Sequence, residues 1–350
     1  MYLSEQNENS IQHSSITKRL ITFAYNTGLI RLGRQFWAKS LTVLNYHRID
    51  YLENNPDNFQ PNISATPAEF DRQMSYISRW FNVVSLQDVT NWILKNKPLP
   101  RYAALITFDD GYLDNYTNAF PVLKKYNFPA VIYLTSGHIE SNRPFYWDLV
   151  AYCFAHTQKN SILFPDGIER SWDSIDGKNQ ISKQWIESMK ILEENQKQNW
   201  ISRIPEQLNV VIPDNYFKNL MMNWDQVREM SAANIDFGAH TVTHPILTRI
   251  SPEQVRTEIS DSKKRIEQEL NKPVISLAYP NGMKADFNDT VINLAKETGF
   301  TTAFTLLNGP TTLNEVKEMP YTIRRSFISH KHSLPQFSTL ISPINRLRSS

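Results

Sequence analysis

The sequence predicts an α/β fold in which parallel strands alternate with crossover helices, in a layer or a barrel. After residue 40, short runs rich in β-branched and aromatic residues alternate with segments whose apolar residues recur at helical spacing. Some of these helical segments begin with clear capping signals. Such alternation is typical of βα units, and 41% hydrophobic residues in a chain of 350 can fill a sizeable core.

The predicted strands are short and bounded by polar or turn-forming residues. Seven runs meet this description: 41–46, 82–85, 103–108, 130–134, 235–239, 274–279 and 301–306.

Capping residues mark two of the predicted helices. Thr66, Pro67 and Glu69 form a capping-box start, and the residues that follow keep one helical face apolar. A similar capping motif occurs at residues 251–254. Both helices therefore begin at defined positions.

Residues from about 141 to 222 break the alternation, because polar and Trp-containing stretches replace the β-branched runs. This segment is predicted to be a helical insertion with a helix over 180–200. The remaining chain divides into a polar and amphipathic extension (1–40), a main unit (41–325) and a C-terminal tail (326–350).

Composition excludes some partners and favours a location. The net charge of +2 gives no strong field for nucleic acid, so none is expected as a partner. The single cysteine, Cys153, excludes an internal disulfide and lies in an apolar stretch typical of packing.

Residues 16–37 resemble a basic amphipathic helix, which either packs on the domain or contacts a membrane surface. No signal peptide or transmembrane helix is recognisable, which favours the cytoplasm or the inner face of the membrane.

Polar residues follow several predicted strands. They are His47 after 41–46, Asp109 and Asp110 after 103–108, His240 and His244 after 235–239, and Pro280, Asn281 and Gly282 after 274–279. In such folds the catalytic and binding residues lie at the carboxyl ends of the parallel strands. We therefore expect these side chains to meet at one rim.

His240 and His244 have the i, i+4 spacing that places two imidazoles on one side of a helical turn. Two imidazoles and one carboxylate make a three-ligand metal site with open positions, which is typical of catalysis. Neighbouring residues that leave a strand point in different directions. One carboxylate of the pair at 109 and 110 can thus bind the metal while the other faces the substrate. Two histidines that cap a turn without metal are the alternative.

Three motifs resemble those of the polysaccharide deacetylases, the NodB-homology carbohydrate esterases. They are LITFDDGYLDNY (105–116), FGAHTVTHPILTRIS (237–251) and SLAYPNG (276–282). The resemblance covers about 41–325 and is interrupted by the insertion. It implies a distorted (β/α)7-8 barrel with one divalent metal that removes N-acetyl groups from amino-sugar glycans.

The resemblance assigns roles to individual positions. Asp109 would be the general base, and Asp110, His240 and His244 would be the metal ligands. A backbone N–H near Tyr112 would stabilise the oxyanion.

For the general acid, the early strand resembles that of a circularly permuted subgroup, so His47 is preferred to His330 or His332 in the tail. The arginine that many members place before the Pro-Tyr of the third motif is absent here. Arg324 or Arg325 is the candidate to orient the base. Tyr279, Pro280 and Asn281 match the family in position and are expected to line the sugar groove, although core packing explains Tyr279 nearly as well.

Zinc is the first choice of metal, and Co, Ni or Fe would accept the same ligands. The expected substrate is an N-acetylated glycan of an exopolysaccharide or the cell envelope. Two alternatives remain open: a non-haem iron enzyme that uses the His/His/Asp triad, and a non-catalytic carbohydrate-binding relative.

Overall fold

The computed structural model describes residues 15–28, 34–54 and 62–342. The strands in this part are β1 (Ser40–Tyr46), β2 (Arg48–Ile49), β3 (Ile63–Ala65), β4 (Asn82–Val83), β5 (Ala103–Asp110), β6 (Ala130–Leu134), β7 (Ser161–Leu163), β8 (Glu169–Ser171), β9 (Ile235–Ala239), β10 (Ser276–Ala278), β11 (Thr302–Phe304), β12 (Thr311–Thr312) and β13 (Ser326–Phe327). Each of the seven predicted runs overlaps one of these strands; β1 begins one residue before its predicted start, and β5 extends past its predicted end to include Asp109 and Asp110.

Nine of these strands form one sheet in the order β11-β10-β9-β6-β5-β1-β12, with β4 beside β5 and β13 beside β1. The pairings are parallel except that of β12 with β1. The pairs β2–β3 and β7–β8 are separate. The parallel sheet predicted from the alternation of strands and helices is confirmed.

The helices are α1 (Ser15–Asn26), α2 (Pro67–Trp80), α3 (Leu86–Lys95), α4 (Phe120–Tyr126), α5 (Tyr146–His156), α6 (Ile175–Met189), α7 (Glu194–Ser202), α8 (Ile204–Gln207), α9 (Trp224–Ala232), α10 (Pro252–Leu270), α11 (Asp289–Glu297), α12 (Leu313–Glu318) and α13 (Leu334–Leu340). A π-helical turn, Asn115–Ala119, leads into α4, and short 3-10 helices lie at Arg34–Trp37, Leu52–Asn54 and Leu247–Arg249. The predicted starts of α2 and α10 are confirmed: Thr66 Oγ1 accepts from Glu69 N at 3.2 Å, and a complete capping box precedes α10.

The strand register aligns the carboxyl ends of the central strands. Tyr46 of β1 lies opposite Phe108 of β5. Farther along the same edge, Leu134 of β6 lies opposite both Asp110 of β5 and Ala239 of β9. The residues that follow β1, β5 and β9 therefore emerge beside one another, as expected for the rim of a parallel barrel.

The segment 320–327 joins the two edges of the sheet. Ile323 N donates to Ala303 O, and Thr305 N donates to Ile323 O, which attaches the segment to β11. Three residues later, Ser326 pairs in parallel with Leu44 of β1. The curled sheet is thus closed into the distorted barrel that the family resemblance implied.

The segment 141–222 has an apolar cluster of its own. Trp185 is fully buried in it, and Cys153 is buried there as well, in agreement with the packing role expected from its sequence context. The helix predicted over 180–200 is two helices, α6 and α7, separated by residues 190–193. This local core allows the segment to hold a fixed shape beside the barrel.

Both ends of the described chain pack on the domain. The exposed Leu20 and Phe23 lie on α1, whereas Ile21 is buried and Tyr25 lies 6.3 Å from the ring of Tyr76. Helix α1 packs on α13, whose Phe337 is fully buried. Of the predicted N-terminal extension and tail, residues 1–14, 29–33 and 343–350 lie outside the described residues.

Candidate active site

Strand β5 ends at two carboxylates that face different neighbours. Asp110 has φ +75° and Gly111 has φ +89°, so the chain leaves the extended conformation at this point. A Cβ atom on Gly111 would lie 2.8 Å from both Leu134 Cδ2 and Ile139 Cδ1. The backbone angle therefore favours glycine at 111, and a larger residue would also have to displace these two terminal methyl groups.

Asp109 is held by three hydrogen bonds. Arg325 Nη1 donates to Oδ1 at 2.6 Å, and Arg325 Nη2 and Asn45 Nδ2 each donate to Oδ2 at 2.8 Å. Burial alone would raise the pKa of Asp109, but the charge of Arg325, followed by those of His240 and His47, lowers this pKa to about 2. Asp109 is consequently an ionised and firmly oriented carboxylate at neutral pH.

Of the two candidate arginines, the structure brings only Arg325 to Asp109. Arg325 is fully buried, and its Nε also donates to Thr305 O at 3.0 Å. Arg324 Nε donates instead to Asn308 O at 3.1 Å. Sequence alone could not separate the two, because both stand next to the short strand β13.

Asp110, His240 and His244 form a buried cluster whose ligand atoms all lie within 4.8 Å of one another. Nε2 of each imidazole is 3.7 Å from Asp110 Oδ1. An ion about 2.1 Å from each atom would separate tetrahedral ligands by roughly 3.4 Å. Small adjustments of the side chains would bring all three atoms into the coordination sphere of one ion.

The orientation of His240 suits a ligand. Its Nδ1 lies 2.8 Å from Ala278 O, the last residue of β10, which assigns the proton to Nδ1 and leaves the Nε2 lone pair free. Metal-binding histidines commonly make this second bond to a backbone carbonyl.

His244 reaches the cluster from a loop. The helical turn predicted over 240–244 is wrong, since Thr241 and His244 have φ of 70° and 62° and no helix is present there. The loop is held instead by side chains: Thr241 Oγ1 accepts from His244 N at 3.0 Å, and Glu258 accepts from the N–H groups of residues 242 and 243. The predicted proximity of the two imidazoles is nonetheless present, with ring centroids 4.8 Å apart.

The electrostatics of the cluster match a cation. Burial, followed by the charges of Asp109 and Asp148, raises the pKa of Asp110. Burial lowers the pKa of both His240 and His244, so both are neutral ligands at pH 7. Both carboxylate oxygens of Asp110 are buried and make no hydrogen bond within the described residues. A divalent cation would satisfy these orphaned oxygens and stabilise the ionised carboxylate, so the residues fit the metal that the sequence predicts.

His47 lies beside the base. Its Nε2 is 3.9 Å from Asp109 Oδ2, and its backbone N donates to Ser64 Oγ at 2.9 Å. Burial lowers the pKa of His47 to about 4, although Asp109 opposes this shift. The tail histidines have other partners: Ile63 O lies 3.0 Å from His330 Nδ1, and His332 Nδ1 accepts from Ser329 N.

The other predicted site residues differ in their burial and in their contacts. Tyr112 directly follows the turn at Gly111 and is buried. Tyr279 is fully buried, stacks on Phe287 at 4.9 Å and donates from its hydroxyl to Tyr321 O, which favours the packing role over a sugar contact. The neighbouring turn contains Pro280, which is buried, and Asn281, which is partly exposed with φ 57°.

Sequence reasoning missed two buried polar residues near the site, Asn45 and Asp148. Asn45 stands in β1 two residues before His47, so both are on the same face of the strand or its continuation. A polar residue within the apolar run LTVLNY was the available signal for Asn45. Asp148 gave no signal, because its proximity to β5 depends on how the segment 141–222 folds back.

Comparison with known proteins gives a consistent result. The family model described as polysaccharide deacetylase matches residues 96–303. The Bacillus subtilis protein YxkH, named as a polysaccharide deacetylase, is 21% identical over 270 residues, which cover 75% of this chain and 65% of that protein. A Staphylococcus epidermidis poly-beta-1,6-N-acetyl-D-glucosamine N-deacetylase is 33% identical over 116 residues, or 31% of this chain and 40% of that protein. The matches thus span less than two thirds of the length of these two relatives.

Solved structures share the fold. The Streptococcus pyogenes deacetylase PplD, solved in complex with acetate, aligns with a TM-score of 0.55 at 20% identity, covering 89% of this chain and 97% of that one. IcaB from Ammonifex degensii aligns with a TM-score of 0.54 at 20% identity, covering 86% of this chain and 97% of that one.

Proposed function

Because the chain belongs to the polysaccharide deacetylase family, we propose that it is a metal-dependent hydrolase that removes N-acetyl groups from an amino-sugar glycan. The observation that carries the proposal is the pairing of two arrangements at one rim. A base held by Arg325 lies directly beside a three-ligand metal cluster. Each arrangement has a distinct part in amide hydrolysis.

Asp110, His240 and His244 would hold the ion. When bound, a divalent cation such as zinc supplies Lewis acidity that polarises the acetamide carbonyl and makes water a better nucleophile. Cobalt, nickel and iron would accept the same ligands, and zinc is our first choice.

Asp109 would act as the general base for the attacking water, because its carboxylate is ionised and fixed by Arg325 and Asn45. The charge of Arg325 lowers the pKa of Asp109, so a proton that enters the Asp109–His47 pair would reside on His47. From Nε2 of His47 the proton would pass to the amide nitrogen as the C–N bond breaks, which gives acetate and a free amine. The backbone N–H of Tyr112 would stabilise the oxyanion of the tetrahedral state.

The pair Asp109–His47 also favours this reaction over the two alternatives. A non-haem iron enzyme would use the His/His/Asp triad but would have no evident task for the buried Asp109–Arg325 pair. A non-catalytic sugar-binding relative would not need a base and an acid 3.9 Å apart.

The substrate class follows from the family and the relatives. We propose an N-acetylated glycan of an exopolysaccharide or cell envelope, with the segment 141–222 as an insertion that shapes the approach to the rim. Because one relative is named for poly-β-1,6-N-acetyl-D-glucosamine, oligomers of this glycan are the first to test.

Location and membrane contact stay predictions. Among the described residues, no helix combines the length and apolar character needed to cross a bilayer. A peripheral membrane contact through residues 16–37 would have to use the side of α1 that carries the exposed Leu20 and Phe23, since the opposite side packs on the domain.

The test is acetate release from a panel of N-acetylated oligosaccharides, including β-1,6-linked N-acetylglucosamine oligomers, with and without a chelator. We expect chelation to abolish turnover and added zinc to restore it. Asp109→Asn and His47→Ala should each lower kcat by roughly 10²–10⁴-fold, as is typical when a general base or acid is removed. The matched control is Asp225→Asn, which neutralises an exposed carboxylate and should leave kcat unchanged. Turnover that survives both chelation and Asp109→Asn would refute the mechanism.

A further inference from the structure

The hydroxyl of Tyr112 has two hydrogen-bond partners, and both come from the segment 141–222. Its hydroxyl donates to Asp148 Oδ2 at 3.0 Å and accepts from Trp147 Nε1 at 2.7 Å. Tyr112 and Asp148 are both buried. Tyr112 also stands only two residues after Asp110, so these bonds connect the first turn of α5 with the turn that ends β5.

The same helix start contacts a second candidate ligand. The rings of Trp147 and Phe145 lie edge to face with His244, at centroid distances of 5.1 and 5.6 Å. Phe145 is itself stacked between Trp147 at 4.5 Å and His138 at 4.2 Å, with nearly parallel planes. This ring stack restricts the orientation of the His244 imidazole.

On its other side, Tyr112 contacts the residue that directly follows the candidate acid His47. The guanidinium carbon of Arg48 lies 4.9 Å from the centroid of the Tyr112 ring, and Arg48 Nε donates to Asp114 at 2.8 Å. Asn115 Nδ2 donates to His47 O at 2.7 Å. Tyr112 is thus the point at which the loop of His47, the turn of Asp110 and the helix start at 145–148 meet.

We propose that Tyr112, Asp148 and Trp147 form a positioning unit through which the segment 141–222 fixes the turn of Asp110 and the ring of His244. The inference rests on the proposed function and deepens it, because it gives the segment a task in the catalytic centre besides shaping the rim. Some residues do not bind the metal themselves but contact its ligands. Loss of such a residue typically lowers metal affinity or activity by about 10–100-fold.

The experiment separates this role from a purely structural one. Tyr112→Phe removes the hydroxyl, Asp148→Ala removes its acceptor, and Asp148→Asn keeps an acceptor oxygen while it removes the charge. Trp147→Phe keeps an aromatic ring beside His244 and removes the hydrogen bond together with part of the ring, and it takes the place of Asp148→Ala if that variant does not fold. The matched control is Thr157→Val at the opposite end of α5, which deletes the buried bond from Thr157 Oγ1 to Leu208 O (2.6 Å).

For each full-length variant, the dissociation constant for zinc is measured by competition with a chromophoric chelator, together with Tm, kcat and KM for the best substrate of the panel. We expect Tyr112→Phe and Asp148→Ala to weaken zinc binding about 10-fold and to lower kcat at least about 10-fold, with KM changed less than about twofold. Asp148→Asn should recover most of both losses. Thr157→Val should lower Tm without changing either quantity.

The inference is overturned if Tyr112→Phe and Asp148→Ala lose stability as Thr157→Val does but keep wild-type zinc affinity and kcat. It is also overturned if Asp148→Asn is as damaging as Asp148→Ala, since the acceptor is then irrelevant. Absence of acetate release by the wild type would refute the proposed function alone, because the zinc affinities still decide whether the unit positions the ligands.

Discussion

At the scale of single residues, the base is defined by a buried ion pair. Arg325 and Asp109 are each at most 1% exposed, and the arginine contacts both carboxylate oxygens. The pKa of Asp109 lies below its ordinary value of 3.8, at about 2. The ionised form therefore stabilises the fold above about pH 4, and this contribution is lost as the pH falls towards 2.

Replacement of Arg325 by Met tests the control of this pKa. Without the guanidinium, burial dominates and the pKa of Asp109 rises. Since the base acts only when ionised, we expect the acidic limb of the kcat/KM profile to move to higher pH by at least about one unit. The profile is recorded at saturating metal, so that protonation of the ligands does not limit the rate.

Arg324→Met is the control for this change, because Arg324 bonds Asn308 O and should leave the profile unaltered. If Arg325→Met does not fold, Arg325→Lys keeps the charge but not the two parallel bonds, and should lower kcat with a smaller shift of the profile. An unchanged acidic limb in both Arg325 variants would show that Arg325 does not set the pKa of the base.

At the scale of elements, the strand ends position the site residues and the loops orient their side chains. Apolar runs that end in polar residues are a local signal, so the sequence sufficed to place His47 and His240 after strands and the carboxylates at 109 and 110 at the end of one, although β5 itself includes both carboxylates. It could not give the path of 240–244, which depends on left-handed angles at Thr241 and His244 and on bonds from Glu258 in α10. The i, i+4 spacing of His240 and His244 matches a helix, but tertiary contacts determine the conformation of the loop 240–244.

Strand β9 offers a test of how strictly an element positions a ligand. Gly238 lies two residues before His240, and a Cβ atom there would be 2.3 Å from Tyr133 Cε1 and 2.8 Å from Ser276 Oγ. Gly238→Ala should therefore displace β9, lower the free energy of unfolding by about 1–3 kcal/mol and weaken zinc binding. Urea unfolding and chelator competition measure the two effects.

The control is Gly167→Ala, where no atom lies within 4 Å of the added methyl group. Its positive φ of 79° makes alanine unfavourable by about 1 kcal/mol, but the position is remote in sequence from the ligands and zinc binding should be unchanged. Equal zinc affinity in both variants would mean that β9 tolerates the shift without moving His240.

At the scale of the whole molecule, a bound ion would tie together separate parts of the barrel. Asp110 ends β5, whereas His240 and His244 follow β9, with β6 between them. An ion that binds only the folded protein stabilises it by about 2.7 kcal/mol at a hundredfold excess over its dissociation constant. We therefore expect zinc to raise Tm by a few degrees and a chelator to reverse the rise. His240→Ala should abolish the dependence on zinc, and a zinc-dependent Tm in that variant would contradict the assigned ligands.

The barrel itself was predicted from sequence, but the way in which it closes was not. Residues 320–327 contain no long β-rich run, yet they bond β11 on one side and β1 on the other. Such a segment takes its conformation from the two strands it joins. For the same reason Arg325 could not be distinguished from Arg324 until the closing segment was seen to turn it inwards.

The late position of Arg325 has a consequence for biosynthesis. A ribosome translates the motif of Asp109 about two hundred residues before it reaches Arg325, so the growing polypeptide holds its carboxylate pair long before the counter-charge exists. During that interval the acidic strand end has no guanidinium partner. Because the guanidinium stands on the closing segment, the carboxylate gains its counter-charge only when residues 320–327 dock against β11 and β1.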